Sequence, residues 1–207
     1  CNTPHPSHHM EPITKLMTDF GKSLNLETLV DKAGNILIRK SATIGMENRT
    51  PVILQAHVDM VPQKNSDKQH TFETDPIETI IDGDWVKANG TTLGADNGIG
   101  VAAAMAVLES KELKHGPIEA FFTVNEETGM DGAFGLEQGL LKGDILINMD
   151  SEEEGQLYVG CAGGIDANIS WHFKGCPVPE DDVAIKVSIL GLKGGHSGLD
   201  IDLGRAN

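Results

Sequence analysis

Three compact apolar runs organise the first three quarters of the chain. Pro51-Val52-Ile53-Leu54-Gln55-Ala56, Ala120-Phe121-Phe122-Thr123-Val124 and Ile145-Leu146-Ile147-Asn148-Met149 are short, continuous and rich in β-branched or aromatic residues. Runs of that length and texture read as strands buried on both faces. Gly34-Asn35-Ile36-Leu37-Ile38-Arg39 reads as a turn followed by a further strand. Between the first two runs, residues 97–110 form an alanine-rich segment with Val101, Met105 and Leu108 on one face. That period predicts a helix, with Asp96 and Asn97 placed to cap it. Strands alternating with a helix imply an α/β domain with a mostly parallel sheet and flanking helices.

The texture changes after Gly163-Gly164. Residues 166–173 and 183–190 alternate in polarity, which predicts two half-exposed antiparallel strands around a loop at 175–182. The glycine-rich stretch 191–198 then leads to a helix start at 199–207. Two domains are expected, 1–163 and 164–207.

Composition narrows the function classes. The chain has 207 residues, 31 acidic and 16 basic, and a net charge of −15. Such a surface does not suit nucleic acid, which needs a basic face. No apolar run approaches about 18 residues, so no membrane span is expected. Cys1, Cys161 and Cys176 form no CxxC pair, which argues against a disulfide scaffold or a thiolate zinc site. Reduced, buried thiols in a cytoplasmic protein are the expectation.

The chemistry gathers where the apolar runs end. The first runs into His57-Val58-Asp59, the second into Asn125-Glu126-Glu127-Thr128-Gly129, and the third into Asp150-Ser151-Glu152. In open parallel sheets, ligands bind beyond the carboxyl ends of the strands. Asp96, at the start of the intervening helix, would join the group. Several carboxylates on one rim must either protonate or hold cations. Histidine with carboxylates, and no thiolate, is a ligand set for hydrolytic zinc, manganese or cobalt. An EF-hand does not fit, because its alternating acids around a central glycine are absent.

Four motifs, in order, carry a family resemblance. They are Gln55-Ala56-His57-Val58-Asp59-Met60-Val61-Pro62, Thr92-Leu93-Gly94-Ala95-Asp96-Asn97-Gly98-Ile99-Gly100, Asn125-Glu126-Glu127-Thr128-Gly129-Met130 and Asn148-Met149-Asp150-Ser151-Glu152. His57, Asp96, Glu127 and Asp150 follow one another at intervals of 39, 31 and 23 residues. This pattern resembles the two-zinc dipeptidase and aminoacylase peptidase family, and within it the aminoacyl-histidine (Xaa-His, or non-specific) dipeptidase branch. Pro4-His5-Pro6-Ser7-His8-His9 and Lys193-Gly194-Gly195-His196-Ser197-Gly198-Leu199-Asp200-Ile201 look like that branch too.

The resemblance implies a set of roles. His57 and Asp150 would bind one metal, Glu127 the other, and Asp96 both. The cofactor would be two divalent ions, zinc first, with cobalt or manganese as alternatives. Glu126 would be the general base, Asp59 would orient the imidazole, and His196 would stabilise the oxyanion from an inserted α+β lid domain. Glu126 and Glu127 can both face the site only if the strand ends or twists there. A cis peptide is implied at Asp96-Asn97. His5, His8, His9, His70, His115 and His172 match no ligand position and are expected on loops or at the surface.

The implied reaction is hydrolysis of dipeptides, Xaa-His and broader, by a metal-activated water. Short peptides are the expected partners, with a homodimer formed through the lid. A tripeptidase or a deacylase of N-acyl amino acids is the first alternative. A non-catalytic metal-binding protein that keeps the fold is the second. The family's further histidine ligand has no counterpart after His196. The resemblance also implies a missing first helix. The 207 residues are thus expected to be part of a longer chain and poorly active alone.

Overall fold

The computed structural model describes residues 1–151, 153–160, 167–194 and 203–205. The chain divides into two compact units, Cys1–Gly155 and Gln156–Asn207.

The first unit is built on a five-stranded sheet. Its elements are α1 (Glu11–Ser23), β1 (Glu27–Val30), β2 (Ile36–Lys40), β3 (Val52–His57), β4 (Thr79–Asp82), β5 (Trp85–Ala88), α2 (Ala95–Glu109), β6 (Ile118–Thr123), α3 (Asp131–Phe134) and β7 (Ile145–Asn148). The sheet order is β1-β2-β6-β3-β7, while β4 and β5 form a separate hairpin. β3 runs parallel to β6 and to β7, and β2 is antiparallel to both β1 and β6. Four of the five strands therefore point one way, as expected for a mostly parallel α/β sheet.

Side-chain alternation gives β2, β3 and β6 two jobs. Ile36, Ile38, Ala56, Ala120 and Phe122 face one layer, with Ile13 and Met17 of α1 and Val101, Ala104 and Leu108 of α2. Leu37, Ile53 and Phe121 face the other, beneath Leu136, Leu140 and Leu141. α2 carries the chain from β3 to β6 on one side. The next connection, through α3, returns across β3 to β7. β3 thus lies where successive connections diverge, and its carboxyl end is where a ligand crevice is expected.

Several expectations need correction. β7 is not a buried strand: Ile145, Leu146 and Ile147 are about half exposed. It pairs with β3 on one side and has no partner on the other among the described residues. Asp96 and Asn97 do not cap α2. Gly94 holds the cap position, at φ 77°, and no side chain caps the helix. Asp96 and Asn97 lie inside the first turn with non-helical angles. Their shared peptide bond is cis, as the resemblance implied. The two described cysteines, Cys1 and Cys176, are exposed and not buried; Cys161 lies outside the described residues.

In the second unit, the strands expected at 166–173 and 183–190 are not formed among the described residues. Ile169, Trp171, Phe173, Val183, Ile185, Val187 and Ile189 are all exposed. Alternation specifies a face to bury and leaves the partner unspecified. Without a paired neighbour, no ladder of hydrogen bonds forms. Most of the helix start expected at 199–207 lies outside the described residues. No helix among the described residues is long and apolar enough to cross a membrane.

Candidate metal centre

The three strand ends meet as the crevice rule anticipates. His57 is the last residue of β3 and is 1% exposed. Its Nδ1 lies 3.0 Å from the Asp59 carbonyl oxygen. A carbonyl only accepts, so Nδ1 is the donor and Nε2 faces the carboxylates. Nε2 is 3.0 Å from Asp96 Oδ1, 3.5 Å from Asp150 Oδ1 and 3.9 Å from Glu126 Oε2. Asp96 reaches it from the first turn of α2.

Glu126 and Glu127 both reach the site because the strand stops before them. β6 ends at Thr123, and Asn125 takes a left-handed φ of 54°. Met130 N–H then closes a turn onto the carbonyls of Asn125 and Glu126. Asn35, 1% exposed, anchors the exit of β6. Its side chain donates to the Gly132 carbonyl at 2.8 Å and accepts from Val124 N–H at 3.3 Å. The backbone of Gly132 passes so close to Val124 that a Cβ there would sit 2.7 Å from both its N and its O.

Asp59 ties the two halves of the site together. It is 1% exposed and accepts from Ser7 Oγ at 2.7 Å, Glu126 N–H at 3.0 Å and Glu127 N–H at 3.3 Å. Its Oδ1 also stands 3.4 Å from His57 Nδ1. Burial works to raise its pKa, but the His57, Ser7 and Glu126 hydrogen bonds outweigh that and hold it below the usual aspartate value.

The electrostatics fit a cation. Among the described residues, two groups, His57 with Asp96 and Asp150, and His57 with Glu126 and Glu127, each place their ligand atoms within 4.8 Å of one another. Burial works to lower the His57 pKa, but hydrogen bonding to the Asp150, Asp59 and Asp96 carboxylates pushes it up to about 12. Glu127 is pushed up to about 7, by burial first and then by repulsion from Asp96. Burial also raises Glu126, with Asp150, Asp59 and Asp96 adding to it against the His57 charge. Carboxylates that resist ionisation around a proton-holding imidazole are short of positive charge. A divalent ion supplies it, and the donors present match hard-to-borderline divalent ions.

The profile of Peptidase family M20/M25/M40 matches residues 53–199 of the chain. The chain belongs to this peptidase family. It is 56% identical over 207 residues to the cytosol non-specific dipeptidase of Escherichia coli K12, covering 100% of this chain and 43% of that protein. The crystal structure of aminoacylhistidine dipeptidase from Vibrio alginolyticus superposes with a TM-score of 0.73 at 58% identity, over 75% of this chain and 32% of that one. Peptidase T of Staphylococcus saprophyticus is more distant, 26% identical over 86% of this chain and 50% of its own length. The resemblance read from the four motifs is borne out. The peptidase-family chain spans less than half the length of the Escherichia coli relative.

Of the residues singled out from sequence, the structure brings His57, Asp59, Asp96, Glu126, Glu127 and Asp150 together. His196 lies outside the described residues. His5, expected on a loop or at the surface, lies on a loop and is buried there, with its Nδ1 2.6 Å from the Thr3 carbonyl oxygen. Ser7, Asn35 and Asn125 fall within the sequence motifs, but the sequence assigns them no role. Their contacts span 52 to 117 positions and leave no local signature.

Proposed function

We propose that the full-length protein is a cytosolic metallodipeptidase and that this chain supplies most of its metal-binding residues. The observation that carries the reading is the convergence of one imidazole and four carboxylates at the carboxyl edge of β3, β6 and β7. The 56% identity to a dipeptidase supports the substrate class, and the word cytosol in that relative's name supports the compartment. His57 and Asp150 would hold one divalent ion, Glu127 the other, and Asp96 both; zinc is the first choice, cobalt or manganese the alternatives. Bound there, the ions would polarise the scissile carbonyl and lower the pKa of a water.

The chain's own residues do the rest. Glu126 sits beside Glu127 with a raised pKa, suited to taking a proton and giving it to the leaving amine. Asp59 fixes the His57 ring and, through two amides, the turn that carries Glu126. His196 would donate to the oxyanion, from a lid closing over the site or from a second subunit of a homodimer. A further histidine from outside these 207 residues would complete the Glu127 site.

The test is hydrolysis of a panel of dipeptides, tripeptides and N-acyl amino acids by the full-length protein, with and without added zinc or cobalt. Dipeptides, Xaa-His among them, should be preferred. Glu126→Gln should retain metal and lose about 10²–10⁴-fold in kcat. A protein that binds two ions and cleaves none of the panel would refute the enzyme reading. Preference for tripeptides would favour the peptidase T likeness instead.

A further inference from the structure

Residues 4–9 cross the back of the site as a strap, and they are fastened by their backbone. Pro6 bridges Met60 in parallel fashion. Met60 N–H donates to the His5 carbonyl at 3.1 Å, and Ser7 N–H to the Met60 carbonyl at 3.3 Å. His8 N–H donates to Asn125 Oδ1 at 2.8 Å. None of these bonds uses the Ser7 side chain. Ser7 is buried, and its hydroxyl makes one contact of a different kind: it donates to Asp59 Oδ2 at 2.7 Å.

That oxygen is shared. Asp59 Oδ2 also accepts from Glu127 N–H, while Oδ1 accepts from Glu126 N–H and faces His57 Nδ1. One carboxylate therefore holds the turn bearing two glutamates after β6 and sets a negative charge 3.4 Å from His57 Nδ1, whose N–H goes to the Asp59 carbonyl. The Ser7 bond, at 2.7 Å, has the length of an O–H···O bond to a charged acceptor, while the Glu127 amide bond at 3.3 Å is long for its kind. A short hydrogen bond to an ionised acceptor is among the stronger ones a buried group makes. We infer that Ser7 is a positioning residue: its hydroxyl sets the plane of the Asp59 carboxylate and so aligns the turn that carries Glu126 and Glu127 for metal and for catalysis.

The inference rests on the metallopeptidase reading, and the experiment separates the two. The full-length protein, freed of metal, is titrated with cobalt(II) and followed by its visible absorption bands; kcat and KM are then measured on one dipeptide. Ser7→Ala should weaken cobalt binding by about 10–100-fold, the usual cost of losing a hydrogen-bonding partner behind a metal ligand. It should also alter the band pattern and lower kcat more than it raises KM. Ser7→Thr, which keeps the hydroxyl, should restore cobalt binding. A wild-type protein that binds no cobalt refutes the metal reading itself. With a wild type that binds cobalt, a Ser7→Ala loss below tenfold overturns the role of Ser7. Equal losses in Ser7→Ala and Ser7→Thr overturn it as well.

Discussion

Asp59→Asn is a nearly isosteric change that isolates the carboxylate behind the site. In the native protein, Oδ1 accepts from Glu126 N–H and Oδ2 accepts from Ser7 Oγ and Glu127 N–H. An asparagine must turn its NH2 toward one of these positions. Facing Glu126, it sets donor against donor. Facing the other side, it can donate to the Ser7 hydroxyl, which rotates to accept, but Glu127 N–H is then opposed. Either flip leaves one amide without an acceptor, which costs about 1–3 kcal/mol. The remaining bonds lose the assistance of the charge, roughly 1 kcal/mol more in all, while the neutral side chain recovers part of the desolvation. The expected loss is about 2–3 kcal/mol, read from urea unfolding of the metal-free full-length protein beside an Asp19→Asn control on the exposed face of α1. Cobalt affinity should fall about 10–100-fold in the same variant. A midpoint equal to the control, with unchanged cobalt affinity, would refute the reasoning, because Asp59 would then be neither a structural acceptor nor a support for His57.

Two further outcomes depend on pH. Glu119 is buried against Arg39, with Arg39 Nε 2.8 Å from Oε1 and the amides of Lys142 and Gly143 on Oε2. Burial would raise its pKa, but these partners lower it below the ordinary 4.5. Its contribution is therefore complete above about pH 4.5 and is lost as pH falls through the lower folded value. The stability gap between wild type and Glu119→Gln should shrink between pH 5 and 3 in urea titrations; a constant gap contradicts the ion pair. At the candidate metal centre, His57 and Glu127, pushed up to about 12 and about 7, would have to give up protons to ligate an ion. Zinc binding near pH 6 should release between about one and two protons. Affinity should fall as pH falls, and calorimetry in buffers of different ionisation enthalpy reads the release; equal heats across buffers would contradict it.

Much of this was legible in the sequence, and for physical reasons. β3 and β6 pair on both edges and pack on both faces, so they appear as continuous apolar runs. The strand-end rule then collected His57, Glu126, Glu127 and Asp150 without any tertiary information. α1 went unread because Ile13, Met17 and Gly21 are its buried residues, set among Lys15, Thr14, Thr18 and Asp19. The β4–β5 hairpin went unread because its strands are four residues each and exposed almost throughout. Residues 167–173 and 183–190 show the opposite failure. Their alternation is real, but pairing is a property of two strands, and a sequence pattern names only one. The hydrogen bonds that hold the site together, Ser7 to Asp59 and Asn35 to Gly132 and Val124, join residues from 52 to 97 positions apart. Polar residues in a loop carry no period that could reveal them.

The site divides its labour by burial. His57 and Asp59, each 1% exposed, are held by the sheet and by the strap. The carboxylates opposite them are more open, with side chains of Asp96, Glu126 and Asp150 at 49%, 35% and 28% exposure. On the proposed reading, a rigid imidazole would fix where an ion sits, and open carboxylates would let ions, water and substrate come and go. The reverse arrangement would strand several buried like charges with no route to compensation, a state proteins relieve by protonation. Burial and the neighbouring Asp96 already raise the pKa of Glu127. The net charge of −15 is spread over the whole chain, but its chemical consequence is local. It lies in a handful of acids crowded at one strand edge, tolerable only while a cation, or a proton on His57, is there to meet them.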